Sequence, residues 1–252
     1  MNSKIVTILA AGTFLAAAFA GCVGSDEEQT AGEAFSILGK TGDGEWTNET
    51  VVALVSEEIT AENAKDAAGR AKTVESVSFK IDGVGAGAKV VWDFGDLTTE
   101  TAGAEVTHTY AAPGACLVLA TIGDASANIT VAVNYHASGS GTVMTLPGGE
   151  VYQEGTSYID YLFRVNEGAK KCEISMTGSG VAAETSDIDM ALMDPSGKQI
   201  ASSVGATAEE HITCKKMKPA GDFTVQIGQI AGQVYASIGE VSFDFTIDVL
   251  YA

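Results

Sequence analysis

Lys89-Val-Val-Trp-Asp-Phe-Gly-Asp96, followed by Thr107-His-Thr-Tyr110 and Pro113-Gly114, is the stretch that decides the fold class. Val91 and Trp92 favour a pleated, half-buried surface, and Gly95-Asp96 is turn chemistry, so the first piece reads as a strand that reverses. Val106, His108 and Tyr110 alternate onto one face before the Pro-Gly punctuation. That pattern predicts the returning strand of a hairpin inside a β-sandwich.

Thr50–Val55 and Val74–Ile81 read as upstream strands, the latter with Val77, Phe79 and Ile81 on one face. Ala34–Leu38 reads as a short strand. Downstream, Ala115–Ile122 and Asn128–Tyr135 are two more, separated by a turn at Gly123-Asp124. Cys116 shares a face with Val118 and Ala120 and reads as a buried small hydrophobe. Thr60–Gly69 breaks the pattern: Thr60 as an N-cap and Gly69 as a stop predict a short helix.

The W-D-F-G-D, H-T-Y and P-G pieces together resemble the PKD domain, an immunoglobulin-like module of many surface proteins. Leu97 replaces the signature's last glycine, and Cys116 sits where that family usually places a tyrosine. The resemblance implies a fold and a cell-surface habit more than an activity.

Residues 136–149, with Ala-Ser-Gly-Ser-Gly141 and Pro147-Gly-Gly149, read as a flexible linker. Beyond it, Asp187-Ile-Asp-Met-Ala-Leu-Met-Asp-Pro-Ser-Gly197, Ala201-Ser-Ser203 and Pro219-Ala-Gly-Asp-Phe-Thr-Val225 occur in an order that resembles the pre-peptidase C-terminal (PPC) domain, a jelly-roll-like sandwich. In Val241–Val249, Val241, Phe243, Phe245, Ile247 and Val249 face one way while Ser242, Asp244, Thr246 and Asp248 face the other, the mark of a half-buried strand. The PKD-PPC pair also resembles the accessory tail of secreted collagenases, whose final module holds the substrate. The expected architecture is therefore all-β: two tandem sandwiches, residues 46–135 and 150–252, after a signal peptide (1–21) and an acidic tether (22–45).

The N-terminus has one lysine, Lys4, and then an apolar run to Ala20, too short to cross a bilayer comfortably; it reads as an export signal. Ala18-Phe-Ala20 fits a cleavage site after Ala20, whereas Phe19-Ala-Gly-Cys22 resembles a lipoprotein lipobox. The polar run Gly24–Thr30 behind Cys22 has the composition of a solvated tether and favours the lipobox, with lipid on Cys22.

With 33 acidic against 14 basic residues, net charge −19, the chain repels nucleic acid and anionic membrane, which excludes a nucleic-acid role. No HExxH, GxSxG or GxxxxGK[ST] motif occurs. His108, His136 and His211 lie on separate segments, without zinc-ligand spacing. Asp187, Asp189 and Asp194 are candidate calcium ligands, although Asp194 also opens an Asp-Pro-Ser-Gly turn. Cys172 and Cys214 fall on inward strand faces, and in an exported protein a disulfide between them is expected. Asn48-Glu-Thr and Asn128-Ile-Thr are glycosylation sequons.

These features predict a non-catalytic cell-surface lipoprotein that adheres to an extracellular protein or polysaccharide, meets the membrane only through its lipid, and has no required cofactor beyond possible calcium. The alternatives are a detached substrate-targeting accessory of a secreted hydrolase, or a self-associating component of the envelope or of a surface filament. Cys22→Ser is expected to move the protein from the membrane fraction to the soluble fraction, and retention of the variant in membranes would refute the lipid anchor.

Overall fold

The computed structural model describes residues 35–85, 87–146, 152–179, 188–205, 209–230 and 239–252, which consist of strands, turns and loops with no helix. The expected signal peptide, Cys22 and the tether as far as residue 34 lie outside the described residues. The first half contains β1 (Ser36–Thr41), β2 (Val51–Ile59), β3 (Lys72–Val74), β4 (Ser76–Asp82), β5 (Val90–Asp93), β6 (Thr99–Ala102), β7 (Glu105–Thr109) and β8 (Gly114–Ile122). The long β9 (Ala125–Thr145) follows. The second half contains β10 (Tyr158–Val165), β11 (Lys171–Ser179), β12 (Asp189–Met193), β13 (Gln199–Ser203), β14 (Glu209–Cys214), β15 (Gly221–Gly228) and β16 (Gly239–Leu250). Strand β1 thus takes part of what reads as tether.

The described strands form three sheets. Two are small, ordered β1-β4-β7 and β10-β15-β12-β13. The third is nine-stranded along β14-β11-β16-β9-β8-β5-β6, with β2 beside β9 and β3 beside β2. Strand β9 binds it together: Ala125–Val133 pair with β8 and Tyr135–Thr145 with β16, while Val131–Gly139 run parallel to β2. Strands β8 and β16 therefore occupy successive stretches of one edge of β9, and β2 occupies the other.

Each small sheet covers one end of the large one. Under the first lies a core that includes Ile37, Val55, Phe79, Trp92, Phe94 and Val131. Under the second lies another, with Tyr135, Tyr161, Phe163, Ile174, Leu192 and Phe245. The molecule is all-β and sandwich-like, and Ala31–Ala252 form one compact unit.

Residues 136–145 are therefore strand rather than linker, while 147–149 lie outside the described residues. The Gly-Ser repeat has a packing cause. A Cβ on Gly139 would collide with the Phe245 ring and come within 2.5 Å of the Ile59 carbonyl oxygen; on Gly141 it would collide with the Tyr161 hydroxyl and reach 2.6 Å from Phe243. Glycine inside a strand marks such a close approach. Ser138 and Ser140 take the intervening outward positions.

Residues 60–71 are a turn-rich loop, not a helix. Thr60 does cap, since its Oγ1 accepts the Asn63 N–H at 3.4 Å while Asn63 Oδ1 accepts the Thr60 N–H at 2.8 Å. The carbonyls that a helix would need are engaged elsewhere: Asn63 O accepts from Arg70 Nε at 3.2 Å, and Ala64 O accepts from Leu162 N of β10 at 2.8 Å. Tertiary bonds to β10 win over local propensity.

The hairpin expected between the two signature pieces is also replaced. Strand β5 pairs with β6 and β8, whereas β7 crosses to the opposite sheet and pairs with β4.

Gly139→Ala is expected to destabilise the protein by about 1–3 kcal/mol through overpacking, seen as a lower urea midpoint at unchanged slope. Ser138→Ala, on the outward face, should stay within about 0.5 kcal/mol of the parent. Near-zero effects of both would contradict the strand assignment.

Candidate functional site

The signature residues form a clasp across the first sandwich. Trp92 is fully buried and its Nε1 donates to Gly103 O at 3.2 Å. The His108 ring, from β7, stacks on Phe94 at 3.9 Å between centroids and meets Tyr110 edge-on at 4.7 Å. Tyr110 Oη donates to Phe94 O at 3.3 Å. Asp96 Oδ2 lies 2.8 Å from His108 Nε2, and its Oδ1 accepts from Thr98 N at 3.1 Å. Leu97 takes φ 74° in the turn where the signature has glycine, a conformation that costs a side-chain-bearing residue about 1–2 kcal/mol. Burial alone pushes the Asp96 carboxyl up, but the bonds from Thr98 and His108 outweigh it and hold Asp96 below the ordinary carboxylate range. Every polar member is tied to another, so the clasp is a fastening.

Other candidates are dispersed. Asp189 is buried at the start of β12 and accepts from Gly205 N at 3.3 Å. Asp194 follows the far end of that strand, roughly 16 Å away at ~3.3 Å per residue. There Asp194 Oδ1 accepts from Ser196 N at 2.8 Å and Lys198 N at 3.1 Å, which is the Asx-turn alternative. Asp187 lies outside the described residues, among which no group of three or more metal-type ligands occurs. The histidines stay separate: His136 Nδ1 is 2.8 Å from Asp248, and His211 Nδ1 is 3.0 Å from Ser175 Oγ. Asn48 and Asn128 are both exposed.

Cys172 and Cys214 are direct cross-strand partners of β11 and β14, both buried and both free thiols. Opposed residues of an antiparallel pair stand about 4.5–5.5 Å apart at Cα, within the span a disulfide bridges. Cys116 is buried, and burial followed by the charge of Asp96 raises its thiol above the usual range, as suits a packing residue.

A concavity with several polar lining groups lies on the outward face of the nine-stranded sheet. It is an open groove of ≈380 Å³ whose lining includes Ser138 and Ser140 of β9, Asp244 and Thr246 of β16, Ser175 of β11 and Glu58 of β2. These are the residues that alternate away from the two cores, so the same periodicity that builds the strands presents hydroxyls and carboxylates on a rigid surface. Asp244 and Thr246 are already legible in the alternation of Val241–Val249; Ser138 and Ser140 are hidden by their linker-like composition.

On the inward face, sequence reading misses a buried ion pair. Glu57 Oε1 accepts from Arg70 Nη1 at 2.6 Å and from Tyr135 Oη at 2.7 Å, and Arg70 Nη2 also reaches Ala64 O and Leu162 O. Both side chains are almost wholly enclosed. The sequence signal is the inward register of Glu57 within the alternating β2.

Residues 55–137 match the family model of the PKD domain. The PKD match thus ends inside β9, eight residues before the strand does. No curated protein matches. Among solved structures, the chain is similar to carbohydrate-binding modules of the β-sandwich superfamily, at 12% identity over 86% of this chain and 97% of the other, TM-score 0.30. It is also similar to the periplasmic inhibitor of g-type lysozyme, PliG, of Aeromonas hydrophila, at 11% identity over 46% and 85%, TM-score 0.27. A third is SGBP-B of the mixed-linkage glucan utilization locus of Bacteroides ovatus, at 14% identity over 78% and 53%, TM-score 0.25.

Because the Asp96 carboxyl is held low, its contribution to stability is full above the unfolded value of about 3.9 and is lost as pH falls through the lower folded value. Asp96→Asn is therefore expected to be less stable than the parent at pH 7, with the difference shrinking below about pH 4. A difference that stays constant across urea melts from pH 7 to pH 2.5 would contradict the clasp.

Proposed function

We propose that this protein is a non-catalytic, surface-displayed module, lipid-anchored through Cys22, that binds extracellular polysaccharide on the outward face of its nine-stranded sheet. The observation that carries this reading is the ≈380 Å³ groove lined by Ser138, Ser140, Ser175, Thr246, Glu58 and Asp244. Sugars present dense hydroxyl donors and acceptors. Carboxylates accept from vicinal hydroxyls, and serine and threonine both donate and accept. A sheet holds such groups at fixed spacing, so little ordering entropy opposes binding. The remaining acidic surface keeps the displayed module soluble and spaced from its neighbours.

The test is retention of the purified protein on insoluble polysaccharides, with and without chelator. Asp244→Ala is expected to weaken retention about tenfold, the loss of one charge-assisted hydrogen bond, without changing the thermal midpoint. Unchanged retention by Asp244→Ala, or no retention on any polysaccharide, would overturn this reading.

A further inference from the structure

A second polar cleft lies away from the outward face, where the 60–71 loop meets β10. Its outer part, ≈310 Å³, is lined by Lys65, Asp66, Lys72, Arg164 and Asp222 among others. An inner part of ≈130 Å³ shares Lys72 and Arg164 with it and is also lined by Glu57, Tyr135 and Asn166. The outer volume alone is at the lower edge of the ~300–1,000 Å³ usual for small-ligand clefts.

Two features set this cleft apart. Glu57 Oε2 is the one buried side-chain polar atom among the described residues that has no hydrogen-bond partner, although Glu57 is only 7% exposed. A buried acceptor of this kind calls for an explanation, and a donor entering the inner part would supply it. The second feature is charge. In a chain of net −19, three of its 14 cationic side chains line the outer part, and one of them, Arg164, is one of only two arginines. The other arginine, Arg70, pairs with Glu57 through Oε1, so the charge is already met and the unpartnered Oε2 calls for a neutral donor rather than a second cation.

The counter-charges are loosely held. Arg164 meets Asp222 at 2.9 Å, but both are about half exposed, and Lys65 pairs with Glu154 in an exposed bridge. Exposed pairs of this type contribute little and yield readily to a better partner. Guanidinium and ammonium groups at the mouth, with a buried acceptor beyond them, match a molecule carrying an anionic group at one position and a hydroxyl at another. The planar guanidinium in particular suits a carboxylate.

The geometry points to this cleft as a binding site for an acidic sugar: a hexuronate residue whose carboxylate meets Arg164 and Lys72 while one hydroxyl donates to Glu57 Oε2. The site is separate from the outward groove and does not depend on it.

The experiment is calorimetric titration of the full chain with trigalacturonate, with neutral galactotriose and inorganic sulfate as parallel arms. Trigalacturonate is expected to bind, and Lys72→Ala and Arg164→Ala each to weaken it about tenfold at unchanged thermal midpoint. Both variants change exposed side chains, so folding is retained. Binding of galactotriose as tight as that of trigalacturonate would remove the anion's role, and equally tight sulfate would reduce the cleft to a general anion site; either overturns the assignment. Absence of trigalacturonate binding up to about 10 mM, or full affinity in both variants, overturns it as well.

Discussion

The backbone ladder of β9 is the interaction on which the rest depends. Its 21 residues pair with β8 and then β16 along one edge and with β2 along the other. In a continuous strand, side chains keep their alternation without a phase shift, so the inward set runs from Ile129 and Val131 through Tyr135 and Ala137 to Val143. The first members belong to one core and the later ones to the other. Two hydrophobic interiors are thereby set on a common sheet, and their relative orientation is fixed by hydrogen bonds rather than by a tether.

At the seam between these interiors, burial of an ion pair replaces apolar packing. Arg70 is enclosed with its donors shared among Glu57, Asn63, Ala64 and Leu162, which sews the 60–71 loop to β10. Desolvating such a pair can offset most of the attraction it gains, so its value lies less in net stability than in specifying one arrangement of loop and sheet. Deleting one partner is a different matter, since the charge left behind would be buried and uncompensated. Trp92, Phe94 and His108 give the first sandwich an equally specific fastening of its own.

The legible parts of the fold are those with local periodicity. The alternation of Val241–Val249 predicts β16 with the correct face inward, and Val77, Phe79 and Ile81 do the same for β4. The illegible parts are those where a distant group overrides a local signal. Gly139 and Gly141 look like linker because the rings that need the space, Phe245 and Phe243, lie about a hundred residues away. Thr60–Gly69 looks helical because nothing nearby shows that Arg70 and Leu162 capture its backbone. The signature pieces look like one hairpin, whereas they are linked by side chains, His108 to Asp96 and to Phe94, and Tyr110 to Phe94, between elements of opposite sheets. The outward groove is half readable: the carboxylate face of β16 is plain, and the serines of β9 are not.

The position of β16 has a consequence for how the chain reaches its native state. It is the last of the described strands, yet it lies in the interior of the large sheet, between β11 and β9. Until β16 is made, β11 and β9 each present an unpaired edge, and the second core has an open wall. Closure must join segments about a hundred residues apart, so contact order is high and local structure alone cannot lead assembly. With this topology the segments made before β16 cannot complete the large sheet on their own, the condition in which a chain can still be threaded through a narrow channel.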